Sequence, residues 1–185
     1  MSDREEYAPG PASGAEVRKG GEKSTLIMVR ELREPPEQVW RALTDPAQLR
    51  EWAPFEADGT LAKVGATVHL AWAAAGTRAP ERVTVTRADA PHVLEYGELR
   101  WNLEPLGSGT RLTLSIDIDR RFVAWGASGW HICFDVLHYL LNGNPIGRIV
   151  GGEALRFGFQ RLNVEYAQQF GVAAIEAAAK FLAQH

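Results

Sequence analysis

The sequence predicts an α+β domain, an antiparallel sheet with one apolar face covered by a long helix late in the chain. Two observations carry this reading. Segments between residues 66 and 119 repeatedly alternate apolar and polar side chains, the period of strands with one covered and one wetter face. Later, "GWHICFDVLHYLL" (Gly129–Leu141) has apolar residues at helical spacing, and no earlier element is long enough to cover such a sheet.

Taken in order, "TLIMVREL" (Thr25–Leu32) is β-rich and opens the domain as a strand. Pro35-Pro36 suits a helix start, and Val39, Trp40 and Leu43 form the apolar side of that helix. Asp45-Pro46-Ala47-Gln48 supplies an N-cap, Pro at the first helical position and Gln at the third, opening a second short helix through Leu49 and Trp52. Strands follow. "ATVHLAW" aligns Val68, Leu70 and Trp72, and "ERVTVTRA" sets Val83 and Val85 against Arg82, Thr84 and Thr86. "VLEY" is short, "LRWNLEPL" aligns Leu99, Trp101 and Leu103, and "GSG" turns the chain. "TRLTLSIDID" then aligns Leu112, Leu114, Ile116 and Ile118. The long helix stops at Asn142-Gly143-Asn144-Pro145. A last helix over 153–170 carries Leu155, Phe159, Leu162, Tyr166 and Phe170 on one side, and Gly171 ends it.

The organisation expected is a disordered leader over 1–23, a domain over 24–171 that includes the extra helix 153–170, and an Ala-rich tail over 172–185. The leader, "MSDREEYAPGPASGAEVRKGGEKS", mixes Gly, Pro and charge without periodicity and has no hydrophobic stretch, so it does not read as a signal peptide. No apolar run approaches the ~18 residues of a membrane span. A formal net charge of −3 without a basic block gives nucleic acid no electrostatic footprint. The single cysteine, Cys133, rules out an internal disulfide and fits a reducing, cytoplasmic setting. Its apolar neighbourhood marks it as a small buried hydrophobe.

Three groups of residues could carry chemistry. His131, Asp135 and His138 share one helical face, and two histidines with a carboxylate are a ligand set for zinc or iron. One helical face rarely closes a metal site, and His69, His92 and His185 form no supporting cluster, so the expectation is hydrogen bonding and no metal. Asp117 and Asp119 lie on one face of a strand, with Glu95 a possible neighbour, but that face is polar throughout, which favours a solvated surface over acid/base work. "GNPIGRIVGG" lacks the lysine of a phosphate loop and the spacing of a dinucleotide site.

"PPEQVWRALTDPAQLREW", "LRWNLEPLGSGTRLTLSIDI" and "GWHICFDVLHYLLNG", in that order, resemble the three consecutive signatures of the START-like SRPBCC superfamily. The likeness is greatest to its branch of homologues of the heat-shock-protein ATPase activator and covers residues 26–170. "GRIVGGEALRFGFQRLNVEYAQQFGV" is similar to an extension seen in some bacterial members. The resemblance implies a helix-grip fold, a curved antiparallel sheet wrapped around a long C-terminal helix with a hydrophobic cavity between them. Lipid and hormone binders, aromatase/cyclase domains and oxygenase subunits share that fold, so it does not fix function. The activator's chaperone-binding domain and its Asn-rich, Trp-containing motif are not found here, which argues against a co-chaperone-like interaction module.

The aromatic residues point the same way. Trp52, Phe55, Trp72, Trp101, Phe122, Trp125, Trp130 and Phe134 exceed what a small sheet–helix core needs, and flat rings suit the wall of a pocket for an apolar or aromatic molecule. The site expected has Trp130, Phe134 and Leu137 on the helix wall, Leu70, Trp72, Trp101 and Leu103 on the sheet wall, and Trp52 and Phe55 near the mouth. It binds a small hydrophobic molecule, needs no cofactor, and leaves a homodimer open. The alternative is a cyclase or dehydratase using His131, His138 or a carboxylate, which requires one of those groups to face the cavity.

Overall fold

A computed structural model describes residues 2–73 and 79–175. Eight strands, β1 (Ala15–Lys19), β2 (Ser24–Leu32), β3 (Phe55–Ala57), β4 (Thr67–Trp72), β5 (Glu81–Asp89), β6 (Val93–Tyr96), β7 (Leu99–Leu106) and β8 (Gly109–Ile118), form one antiparallel sheet. Its order is β1-β2-β8-β7-β6-β5-β4-β3, so the first two strands close on the last, and the two helices between β2 and β3 pack against the long late helix. The alternation read from the sequence is the burial observed. Val68, Leu70, Val83, Val85, Leu99, Trp101, Leu103, Leu112 and Leu114 point inward, and the intervening residues are exposed or half-buried.

Helix α1 (Asp3–Glu6) is a single N-terminal turn. Helices α2 (Pro36–Thr44) and α3 (Pro46–Trp52) meet at Asp45, whose carboxylate accepts from the Ala47 N–H at 3.0 Å and starts the second helix as its cap. The long helix α4 (Val123–Leu141) begins ahead of the stretch that signals it in the sequence. Asp119 caps a 3₁₀ turn, Arg120–Phe122, that runs straight into it. The residues buried on α4 include Trp130, Ile132, Cys133, Phe134, Val136 and Leu137, all part of the one core cluster.

Two expectations are corrected. The helix expected over 153–170 is a 3₁₀ segment, Gly151–Phe157, followed by α5 (Phe159–Phe170). Gly158 separates them at φ +81°, a conformation that favours glycine, and a β-carbon there would lie 3.2 Å from Pro9. The segment 1–23, expected to be a disordered leader, instead folds back across α4 and α5 wherever it is described. It contributes α1 and the edge strand β1, paired to β2 from Ala15↔Met28 to Lys19↔Ser24, and it buries Tyr7 and Ala12. Its apolar residues are too sparse for a periodic signal, and its order comes from tertiary hydrogen bonds that no local pattern announces. The Ala-rich tail lies outside the described residues beyond Ile175. Among the described residues, no helix is long and apolar enough to cross a membrane.

Candidate ligand-binding site

At the N-terminal end of α4 the interior is not filled. A cavity of about 250 Å³, partly open to solvent, lies between four elements. Trp125, Gly126, Gly129, Trp130 and Cys133 on α4 form one wall. Ile116 and Ile118 at the end of β8 form the floor, and Pro54, Trp72 and Ala73 the far side. Ile149, Val150, Gly151, Ala154 and Phe159, from the segment after α4, close it. Cys133 is the one ionisable side chain among these residues, and burial pushes its thiol up to about 12, so it is neither charged nor nucleophilic at neutral pH.

Two glycines stand in the first two turns of α4, and Gly129, the one inside the helix, costs about 1 kcal/mol relative to alanine. Their place on the cavity wall explains why the sequence carries them. A β-carbon at Gly129 would meet nothing nearer than Phe159 Cε2, at 3.9 Å, so alanine fits and would take its volume from the cavity. At Gly126 the added atom would lie 3.2 Å from Ile118 Cδ1, a tighter approach that also serves helix–sheet packing. Trp125 and Phe159 meet edge to face across the same opening, 5.2 Å between ring centres.

The residues expected to line the site fall into two groups. Trp72 and Trp130 do line the cavity. Trp52, Phe55, Leu70, Trp101, Leu103, Phe134 and Leu137 are buried behind it, packed on one another. Trp52 stands against Trp101 at 6.2 Å and stacks on Phe134 at 6.4 Å, and Trp101 meets Trp130 at 5.6 Å. Trp52 donates its indole N–H to the Ala42 carbonyl at 3.0 Å and Trp101 donates to the Tyr96 hydroxyl at 3.1 Å, which satisfies both groups inside the protein. Trp52 and Phe55 therefore sit in the core, not at the mouth where they were expected. The cavity residues that the sequence reading missed, Ile149, Val150, Ala154 and Phe159, come from the C-terminal extension, whose fold-back no periodicity announces. The paired glycines of "WGASGW" were the signal that could have marked the wall.

The polar face of α4 points away from the cavity. His131 Nδ1 lies 2.7 Å from the Tyr166 hydroxyl, and its Nε2 lies 3.6 Å from Asp135 Oδ2. Tyr7 donates its hydroxyl to Asp135 Oδ2 at 2.7 Å. Burial, then the charges of Arg30 and Arg161, push the His131 imidazole down to about 4, so it is neutral. Burial raises the Asp135 carboxyl against the pull of Tyr7, Arg30 and His138. His138 turns instead to Asn142. Among the described residues, no three His, Cys, Asp or Glu side chains converge as metal ligands. The Asp117–Asp119 pair also parts. Arg100 grips Asp117 with two bonds of 3.0 and 3.1 Å, and this contact, with Thr25, holds its carboxyl below the usual range, while Asp119 caps Arg121.

Solved structures of the same architecture are similar to this chain. A conserved protein of unknown function from Enterococcus faecalis superposes with a TM-score of 0.66 at 16% identity, covering 84% of this chain and 89% of its own. CalU16 from Micromonospora echinospora gives 0.58 at 22%, covering 86% and 97%. DynU16, a protein of the dynemicin biosynthetic locus, gives 0.56 at 21%, covering 68% and 50%. At these identities the likeness concerns the fold. No curated protein sequence matches the chain. The family described as polyketide cyclase / dehydrase and lipid transport matches residues 23–163, every element from β2 to the middle of α5. With the sheet gripping α4 and that match spanning most of its length, the chain belongs to the polyketide cyclase/dehydrase and lipid-transport family, of the SRPBCC type.

Proposed function

We propose that the protein binds a small, uncharged, apolar or aromatic molecule in the cavity between the N-terminal half of α4, the end of β8 and the C-terminal extension. The observation that carries this reading is the bare helix wall. Gly129 gives up helix stability where alanine would fit, and the space that it and Gly126 leave is lined by Trp, Ile, Val and Phe side chains. Burial of apolar surface there stabilises a complex by about 25 cal/mol per Å² before the costs of association. Among the described residues, no lysine, arginine or histidine lines the cavity, so this wall offers an anionic head group no partner for the hydration it would lose. The volume lies just under the roughly 300–1,000 Å³ of common ligand pockets, which favours a compact molecule over a long acyl chain.

The family description also names cyclase and dehydrase chemistry. That chemistry needs a group that moves a proton. His131 and Asp135 are turned toward Tyr166 and Tyr7, away from the cavity, which favours binding over catalysis in this pocket. The order of the three sequence motifs supports a position near the activator-homologue branch of the superfamily. The test is a paired titration followed by tryptophan emission. Neutral N-phenyl-1-naphthylamine is expected to bind one per chain and anilinonaphthalene sulfonate, with its fixed charge, at least about tenfold more weakly. Equal affinity for both, or binding of neither, contradicts the reading.

A further inference from the structure

The wall that closes the cavity is held from a distance. Between α4 and α5 the chain runs without strand or α-helix, and this connector supplies Ile149, Val150 and Ala154 to the cavity. Arg148 ties it to Glu56 of β3 at 2.8 Å, and the rest of its side-chain fixings come from the N-terminal segment. The Arg4 guanidinium donates to the carbonyls of Ile146 at 2.8 Å, Gly147 at 2.7 Å and Arg148 at 3.2 Å. It also pairs with Glu153 at 2.7 Å and lies over the Phe157 ring. Around this clamp, Asn144 bonds Asp3, and Tyr7 packs on Phe157 at 5.9 Å. Further on, Arg161 of α5 donates to the Pro9 carbonyl at 2.6 Å. A planar, always-charged fork is the side chain suited to bridging three successive carbonyls and a carboxylate at once.

We propose that Arg4 is a positioning residue for the binding site. It touches no cavity atom, but it fixes the connector whose next residues form the closing wall, and so it sets how often the partly open cavity opens wide enough to expose its buried inner wall at Cys133. The inference rests on reading the cavity as a ligand site, while its consequence for opening does not. Cys133 provides the readout, as the single cysteine, buried, and on the cavity wall. In the closed protein its thiol is shielded, and when the wall swings away it reacts as an ordinary thiol, at a rate that follows the population of the open form.

The experiment measures the rate at which Cys133 reacts with neutral 4,4′-dithiodipyridine at pH 8 in the full chain, as wild type, Arg4→Ala and Arg4→Lys. Removing the clamp is expected to raise the rate at least about tenfold, since several charge-assisted bonds are lost together. Lysine keeps the pairing with Glu153 but cannot span three carbonyls, so an intermediate rate is expected. Amide exchange separates positioning from general loosening. It is expected to quicken over 146–158 and stay at wild-type rates in β7 and β8. An unchanged Cys133 rate in Arg4→Ala overturns the proposal, as does exchange that quickens uniformly through the sheet. If Cys133 opens as expected while N-phenyl-1-naphthylamine never binds wild type, positioning stands and the ligand reading falls.

Discussion

Gly129 and Phe159 face each other across the cavity so openly that a β-carbon added at the glycine would first meet Phe159 Cε2, 3.9 Å away. That gap separates what the helix would prefer from what a binding site needs. Gly129→Ala is expected to raise the stability of the fold by about 1 kcal/mol, because alanine restores helix propensity without a clash. It is expected at the same time to weaken binding of N-phenyl-1-naphthylamine. Urea unfolding and a fluorescence titration on the same preparation check both signs. A variant that is more stable and binds equally well would show that the gap has no bearing on ligand.

The two groups of aromatics are expected to answer differently to truncation. Trp101 is buried among Trp52, Trp130 and Phe134, so Trp101→Ala should cost about 3–5 kcal/mol in urea unfolding. Trp125 is half-buried with one face on the cavity, so Trp125→Ala should cost about 1 kcal/mol and lower probe affinity several-fold. If Trp125→Ala leaves affinity unchanged, the helix wall has been misplaced.

How far these roles were legible in the sequence divides along the same line. Alternation in "LRWNLEPL" and "TRLTLSIDI" marked Trp101, Leu103 and Leu114 as inward-facing, because a sheet with one covered face imposes period 2 on whatever occupies it. It could not say whether an inward ring meets another ring or empty space. That depends on the neighbours' volumes, and Trp52, Phe134 and Leu137 turned out to fill what they face. Tyr7 and Arg4 were illegible for another reason. They act singly, through long-range contacts to Asp135 and to the 146–148 carbonyls, in a segment whose composition suggests disorder.

Acid should weaken the fold through His131. Its imidazole, neutral in the folded protein down to about 4, takes up its proton near pH 6.5 in the unfolded chain. Between those values the unfolded state holds more protons, so stability falls as the pH falls, by at most about 3 kcal/mol across the window. Asp135 acts with the opposite sign. Its raised carboxyl is protonated at higher pH in the folded protein than in the unfolded chain, which offsets part of the loss. Urea midpoints measured from pH 7 to 4.5 should therefore drop in wild type and drop less in His131→Gln. Parallel curves would place the acid sensitivity elsewhere.

The central claim, that the space beside α4 holds a ligand, is tested most directly by filling it. In Gly129→Leu the added side chain occupies the cavity in place of the ligand, and retained Trp emission and circular dichroism verify that the fold persists. Titration with N-phenyl-1-naphthylamine is expected to show saturable one-to-one binding in wild type and none in Gly129→Leu. Saturable binding of equal strength in the folded, filled variant would contradict the account.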